Sequence, residues 1–220
     1  MRWNMMLNFM LLALVLGIKH SFDADHLIAV SNVLTRSNSI KRAVSISMTW
    51  AVGHMLTATL ITGLLFTFKA SLLTPILDKF ELIVGIMLVG LGVFSIYTSR
   101  IFHAHGHHHD AVQHQHAHIH LRKEQHDHAH KHMFGIGIVH GLASNDELLI
   151  LLTAALGLTR LSDMMLGVLI FSIGVVLGMV VFGALFMSSI INVRSERMHQ
   201  GITAFVGIIS VLYGLHMLIV

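Results

Sequence analysis

The chain contains no cysteine and a single proline among its 220 residues. Without thiols there is no disulfide, thiolate site or iron–sulfur cluster, so a bound metal must take imidazole, carboxylate, amide, thioether or water. Charge is also scarce. Asp, Glu, Lys and Arg make up 11% of the residues against 55% hydrophobic, and mean hydropathy is +0.75, a profile that excludes an ordinary soluble domain. The net charge of +3 comes from basic residues scattered singly or in adjacent pairs, which is no nucleic-acid-binding surface. No Gly-x4-Gly-Lys-Ser/Thr phosphate loop is present, so the chain is not itself an ATPase.

What the chain does have is apolar runs of bilayer length. They fall at Met5 to Leu34, Ala43 to Phe68, Leu82 to Ile101, Phe134 to Leu158, Met164 to Ile191 and Ile202 to Val220. A hydrocarbon core of about 30 Å needs roughly 20 residues of helix, so the pattern predicts an all-α polytopic membrane protein with six transmembrane helices. The first run is too long, and too polar in its middle, for a cleaved signal peptide and reads as retained. Arg36, Lys41, Arg42, Arg100, Arg122, Lys123, Lys131, Arg194 and Arg197 fall on one side of the predicted membrane; Arg2, Lys69, Lys79 and Arg160 fall on the other. The positive-inside bias puts the more basic connections in the cytoplasm and both termini outside the cytoplasmic (inner) membrane.

The second half echoes the first at an offset of about 120 residues. Gly17-Ile18-Lys19-His20 matches Gly137-Ile138-Val139-His140, Trp50-Ala51-Val52-Gly53 resembles Phe171-Ser172-Ile173-Gly174, and Val84-Gly85-Ile86 resembles Val206-Gly207-Ile208. Three helices per copy is an odd number, so the second copy enters the membrane in the opposite direction. The organisation expected is a 3+3 inverted repeat: residues 1–101, a histidine-rich cytoplasmic loop at 102–132, and residues 133–220.

Ionisable side chains interrupt the first apolar run. His20, Asp23, Asp25 and His26 stand together, and each charge near a bilayer centre costs about 2.5–3.5 kcal/mol even on the lenient insertion scale, so such a cluster is read first as an ion site. The bland alternative is a buried network of pairs such as Lys19 with Asp23. A 30-residue helix would be about 45 Å long, well beyond the bilayer core, so a break or strong tilt is implied. On an ideal helix His20, Asp23 and His26 share one slanting face while Asp25 points away from His20; all four converge only if the backbone unwinds locally. Imidazole with carboxylate suits a borderline divalent transition metal and argues against magnesium or calcium. His54 in the second helix and His140, Asn145, Asp146 and Glu147 in the fourth are further candidates for the ion path. His216 reads as interfacial and structural.

The sequence HSFDADH, with His20-x4-Asp25-His26, resembles the signature of the nickel/cobalt transporter family and its smaller urease-accessory-type permease relatives. Gly53-His54 is similar to that family's Gly-His in the next helix, and Gly141 to Glu147 (GLASNDE) loosely resembles a later motif with an aspartate and a glutamate. The resemblance covers nearly the whole chain, although the larger members of the family have eight helices. It implies a secondary transporter, not an enzyme, moving Ni2+ or Co2+ as substrate, with no resident cofactor. It also implies a cytoplasmic metallochaperone or a urease or hydrogenase maturation protein as recipient of the ion.

Between His103 and His132 lie 13 of the 19 histidines, among Gln, Ala, Asp and Gly. Such a composition cannot pack a core and predicts a disordered linker that binds divalent transition ions loosely, as a buffer, sensor or delivery arm. Similar loops occur in nickel/cobalt exporters, whose first-helix motif carries Glu-Pro-Gly in place of Phe-Asp-Ala-Asp. Export is therefore the alternative to uptake; a zinc transporter and a membrane metalloenzyme stand further off, the latter lacking a His-Glu-x-x-His pair.

Overall fold

The computed structural model describes residues 2–68, 74–99, 125–143, 150–151, 161–193 and 195–219. Among them run seven helices: α1 (Arg2–Ser21), α2 (Ala24–Leu34), α3 (Ile40–Phe68), α4 (Thr74–Ser99), α5 (Gln125–Ala143), α6 (Leu161–Ile190) and α7 (Glu196–Ile219). Four of them, α3, α4, α6 and α7, are long and apolar enough to cross a bilayer, and α1 with α2 makes a fifth span bent by 53°. The expected segment from Phe134 to Leu158 is described only in α5 and at residues 150–151. The protein is an all-helical polytopic membrane protein.

Local chemistry explains where the helices start and stop. The lone proline, Pro75, sits in the first turn of α4, where its missing N–H needs no partner. The first apolar run breaks at Phe22 and Asp23, where Asp23 is extended at φ −64° and ψ 145° and N-caps α2. Phe22 N–H donates to the Lys19 carbonyl at 2.9 Å and Asp23 N–H to the His20 carbonyl at 3.1 Å, which closes α1 with a tightened last turn. Helix α5 begins at Gln125, so residues 125–132 of the histidine-rich segment are helical and not the unstructured linker their composition predicts. Residues 102–124 fall outside the described residues.

Helices α3 and α6 pack on each other at the centre, with α1 against α6 and α5 against α3; α4 and α7 form a close pair that rests on α2 and α5. In lipid no hydrophobic effect pulls helices together, so association depends on close van der Waals contact across small residues. Gly17 abuts the main chain of Phe171, and Gly137 that of Trp50. Between α4 and α7, Gly85 faces the Gly214 carbonyl and Gly92 the Gly207 carbonyl, while Ser210 Oγ donates to the Leu88 carbonyl at 2.7 Å. Leu60, Ile86, Tyr97, Phe205 and Leu212 point outward and are exposed, the position for lipid-facing side chains. In the turn after α2, Arg36 lies 4.2 Å over the Phe94 ring and donates to Ser95 Oγ at 3.1 Å, tying α2 to α4. Burial pushes the pKa of its guanidinium below the ordinary value.

The α4–α7 contact makes a testable pair. A Cβ on Gly92 would lie 2.5 Å from the Gly207 carbonyl oxygen and 2.8 Å from the Val211 nitrogen, whereas a Cβ on Gly90 meets nothing within 4 Å. Gly92→Ala should lower the thermal unfolding midpoint in detergent by an amount equivalent to about 1–3 kcal/mol of overpacking. Gly90→Ala should leave it unchanged or raise it slightly, since alanine is the better helix former by roughly 0.5–1 kcal/mol.

Candidate metal centre

The break between α1 and α2 places two helix ends side by side. His20 lies in the last turn of α1 and Asp25 in the first turn of α2, the ends at which the helix dipoles favour a cation and an anion respectively. The His20 carbonyl, freed at the end of α1, also accepts from His26 Nδ1 at 2.9 Å. A carbonyl can only accept, so Nδ1 of His26 carries the proton and Nε2 is the nitrogen left to coordinate.

His54 on α3 reaches the same point. Its Nε2 lies 3.1 Å from Nε2 of His20, and one ligand nitrogen from each of His20, His26 and His54 falls within 4.8 Å of the others. The side chain of His140 on α5 closes the far side, with its ring 5.4 Å from that of His26. Its Nδ1 meets the Ile136 carbonyl at 3.2 Å, again leaving Nε2 inward. Asp25 Oδ2 lies 3.6 Å from His26 Nε2 and 3.9 Å from His140 Nε2. His20, His26, His54 and His140 are all buried, none more than 1% exposed.

Asp23 occupies a different position. Its Oδ2 lies 3.0 Å from His20 Nδ1, on the opposite edge of the ring from the nitrogen facing His54, and its Oδ1 lies 3.8 Å from Lys19 Nζ. Both the bland pairing of Lys19 with Asp23 and the convergence of the histidines are therefore present at once. A carboxylate behind a histidine fixes its tautomer and aims its other nitrogen. With the His20 Nδ1 proton directed at Asp23, His54 Nε2–H donates to His20 Nε2.

Two buried ring nitrogens, His54 Nδ1 and His140 Nε2, have no hydrogen-bond partner, nor does Trp50 Nε1 beside them. Leaving a buried ring nitrogen unsatisfied costs about 1–3 kcal/mol, and a bound cation is one of the ordinary reasons that a fold tolerates an unpaired imidazole lone pair. The donor set of imidazoles with one carboxylate suits a borderline divalent ion such as Ni2+, Co2+ or Zn2+. Asn145, Asp146 and Glu147 lie outside the described residues. His216 is exposed, with its ring 6.4 Å from Tyr213.

Aromatic residues that the sequence marks only as repeat positions turn out to wall the cluster. Trp50 stacks on His54 at 5.0 Å and 21°, is tilted against His26 at 4.9 Å and stands edge-on to His140 at 5.6 Å. Phe171 covers His20 at 5.4 Å. The i, i+4 spacing of Trp50 and His54 puts them on one helical face, and that spacing was the available signal.

These features define the class: a polytopic helical membrane protein with a buried imidazole and carboxylate cluster at a helix break. The chain belongs to the family described as the cytochrome C biogenesis protein transmembrane region, whose family model matches residues 27–216. That match begins just after His26 and so omits His20, Asp23, Asp25 and His26. Over 212 residues, 96% of this chain and 90% of the relative, the sequence is 28% identical to the urease accessory protein UreH of Bacillus sp. (strain TB-90). No solved structure matches the chain.

With Trp3→Phe, Trp50 becomes the sole indole of the chain. Because it is wholly buried, its emission should be shifted to short wavelength and resist acrylamide. Emission typical of a solvated indole would contradict the packing of the cluster.

Proposed function

We propose that this protein is a secondary transporter that carries a divalent transition-metal ion, Ni2+ or Co2+, inward across the cytoplasmic membrane through the histidine and aspartate cluster. The observation that carries this reading is the convergence of His20, His26 and His54, with Asp25 and His140 adjoining, at a broken span. Discontinuous helices near the midplane are where secondary transporters hold their ions. The resemblance of His20 to His26 and of Gly53-His54 to the nickel/cobalt transporter signature supports the choice of ion, as does similarity to a relative named as a urease accessory protein. In this reading His20, Asp25, His26, His54 and His140 are ligands. Asp23 holds His20 in place, and the role proposed for Asn145, Asp146 and Glu147 is to complete or gate the ion path. The cytoplasmic histidine-rich segment buffers the ion before a metallochaperone or a urease or hydrogenase maturation protein takes it. The family description names cytochrome c biogenesis, but a chain without cysteine has no thiol–disulfide step of its own to offer.

The scaffold we propose is six spans in a 3+3 inverted repeat. Its support is that the close contacts come in pairs related by the offset of about 120. Gly17 on Phe171 pairs with Gly137 on Trp50, and Gly85 on Gly214 pairs with Gly207 on Gly92. His20 against Phe171 likewise pairs with His140 against Trp50. Two halves of this kind can rock about a site held between them.

A membrane potential of 100 mV, inside negative, favours inward movement of a doubly charged ion by about 4.6 kcal/mol, at about 2.3 kcal/mol per charge. Uptake needs no other energy source, whereas export needs a counter-ion. Cells expressing the protein should accumulate several-fold more radioactive Ni2+ from trace external metal than empty cells, and Asp25→Ala should abolish the difference. Accumulation below that of empty cells would instead make the protein an exporter.

A further inference from the structure

We infer that the cluster is two overlapping ligand sets that share one atom, His26 Nε2, and that a divalent transition ion passes from one set to the other by exchanging ligands around that shared nitrogen. The inference rests on the reading of the cluster as an ion site. The first set is His20, His26 and His54, whose ligand nitrogens close within 4.8 Å; among the described residues Asp25 and His140 do not complete a group of that size. The second set is His26 with Asp25 and His140, arranged about the single oxygen Asp25 Oδ2 at 3.6 and 3.9 Å. Nδ1 of His26 is committed to the His20 carbonyl, so His26 has one nitrogen to offer, and one lone pair holds one ion. The two sets are therefore alternatives and not a pair of simultaneously filled sites.

Their chemistry differs in the sense a handover needs. The first set is three neutral imidazoles, which suit a borderline ion but leave its charge uncompensated. It adjoins the Lys19–Asp23 pair, whose side chains are 63% and 31% exposed. The second set replaces two imidazoles with the Asp25 carboxylate and His140, and so neutralises part of the charge. An ion held by one tight cage of all five groups would not leave; conduction needs sites weak enough to release and near enough to exchange. His140 also supplies the one ligand from the second half of the chain, so the exchange moves the ion from groups on α1 to α3 toward α5.

The test uses the full chain carrying Trp3→Phe, with Trp50 reporting on the cluster through its quenching by Co2+, and Co2+ influx into proteoliposomes measured beside it. Trp50 touches His26, His54 and His140 and so reads an ion in the cluster; because His130 of the histidine-rich segment lies 3.2 Å from the neighbouring Thr49, the background also carries His130→Gln. His54→Gln should raise the quenching midpoint about tenfold or more, as expected for loss of a ligand-level interaction. His140→Gln and Asp25→Asn should keep the midpoint within about threefold of the parent and yet lose at least nine-tenths of the influx. A midpoint shift in His140→Gln as large as in His54→Gln would mean one undivided site and overturn the inference, as would normal influx in both second-set variants. Short-wavelength Trp50 emission in each variant certifies that it is folded, and Asp25→Asn carries the test if His140→Gln is not. A parent protein whose Trp50 no Co2+ concentration quenches would instead overturn the ion-site reading itself.

Discussion

A backbone that crosses lipid must satisfy its own hydrogen bonds, and the interruption at Phe22 and Asp23 is the place where this chain meets that demand by an unusual route. The carbonyl of His20 would be left without a helical partner by the break. It receives the Asp23 amide and the ring of His26, so the group that repairs the break belongs to the cluster that the break creates. The same bond fixes which nitrogen of His26 faces inward. Removing the kink would carry Asp25 away from His140 and turn His26 off His20. The geometry of the cluster and the continuity of the span are thus one problem with one solution.

That solution holds only if the surrounding helices come close. Gly17 against Phe171 and Gly137 against Trp50 bring α1 to α6 and α5 to α3 at main-chain distance, and His20 and His140 each lie one turn further along from those glycines. Close approach at the glycine therefore delivers the imidazole three residues later into the centre. The aromatic partners are then positioned to pack on the rings, Phe171 on His20 and Trp50 on His140. Trp50 also sets the tilt of His54 by stacking.

Much of this is legible in the residues. Charged groups in the middle of an overlong apolar run require a break, and the run from Met5 to Leu34 has one within the cluster. His20, His26 and His54 are readable as candidates because their types and setting have few other uses in lipid. The roles of the two aspartates are not readable, because an ideal-helix projection fails where the backbone is extended. It places Asp23 on the face of His20 and His26 and turns Asp25 away. The kink instead puts Asp23 behind the His20 ring and brings Asp25 onto His26 and His140. Trp50 is overlooked for a different reason: apolar aromatics in apolar helices carry no compositional contrast, and only contact with His54 reveals what it does. The helical start of α5 within the histidine-rich segment shows the limit of composition, since polar low-complexity sequence next to an apolar segment can be drawn into that segment's helix. His130 Nδ1 lies 3.2 Å from Thr49 Oγ1, a tertiary contact that no composition rule anticipates.

The scaffold and the cluster differ in symmetry, and the difference has a physical consequence. The glycine contacts pair off between the two halves, as do His20 and His140 with their aromatic partners. The remaining residues of the cluster do not: His26, His54 and Asp25 all come from the first half, and the positions about 120 residues on are Asp146 for His26 and Val175 for His54. A symmetric scaffold offers two equivalent conformations by exchange of its halves, which by itself gives an ion no reason to bind differently in one than in the other. If the halves rock as proposed, an unequal ligand set would break that equivalence, because a group held by one half would change its distance to His140 while keeping its distance to its own neighbours. On the proposed reading the scaffold would supply the movement, and the uneven distribution of imidazole and carboxylate the difference in affinity that makes the movement useful.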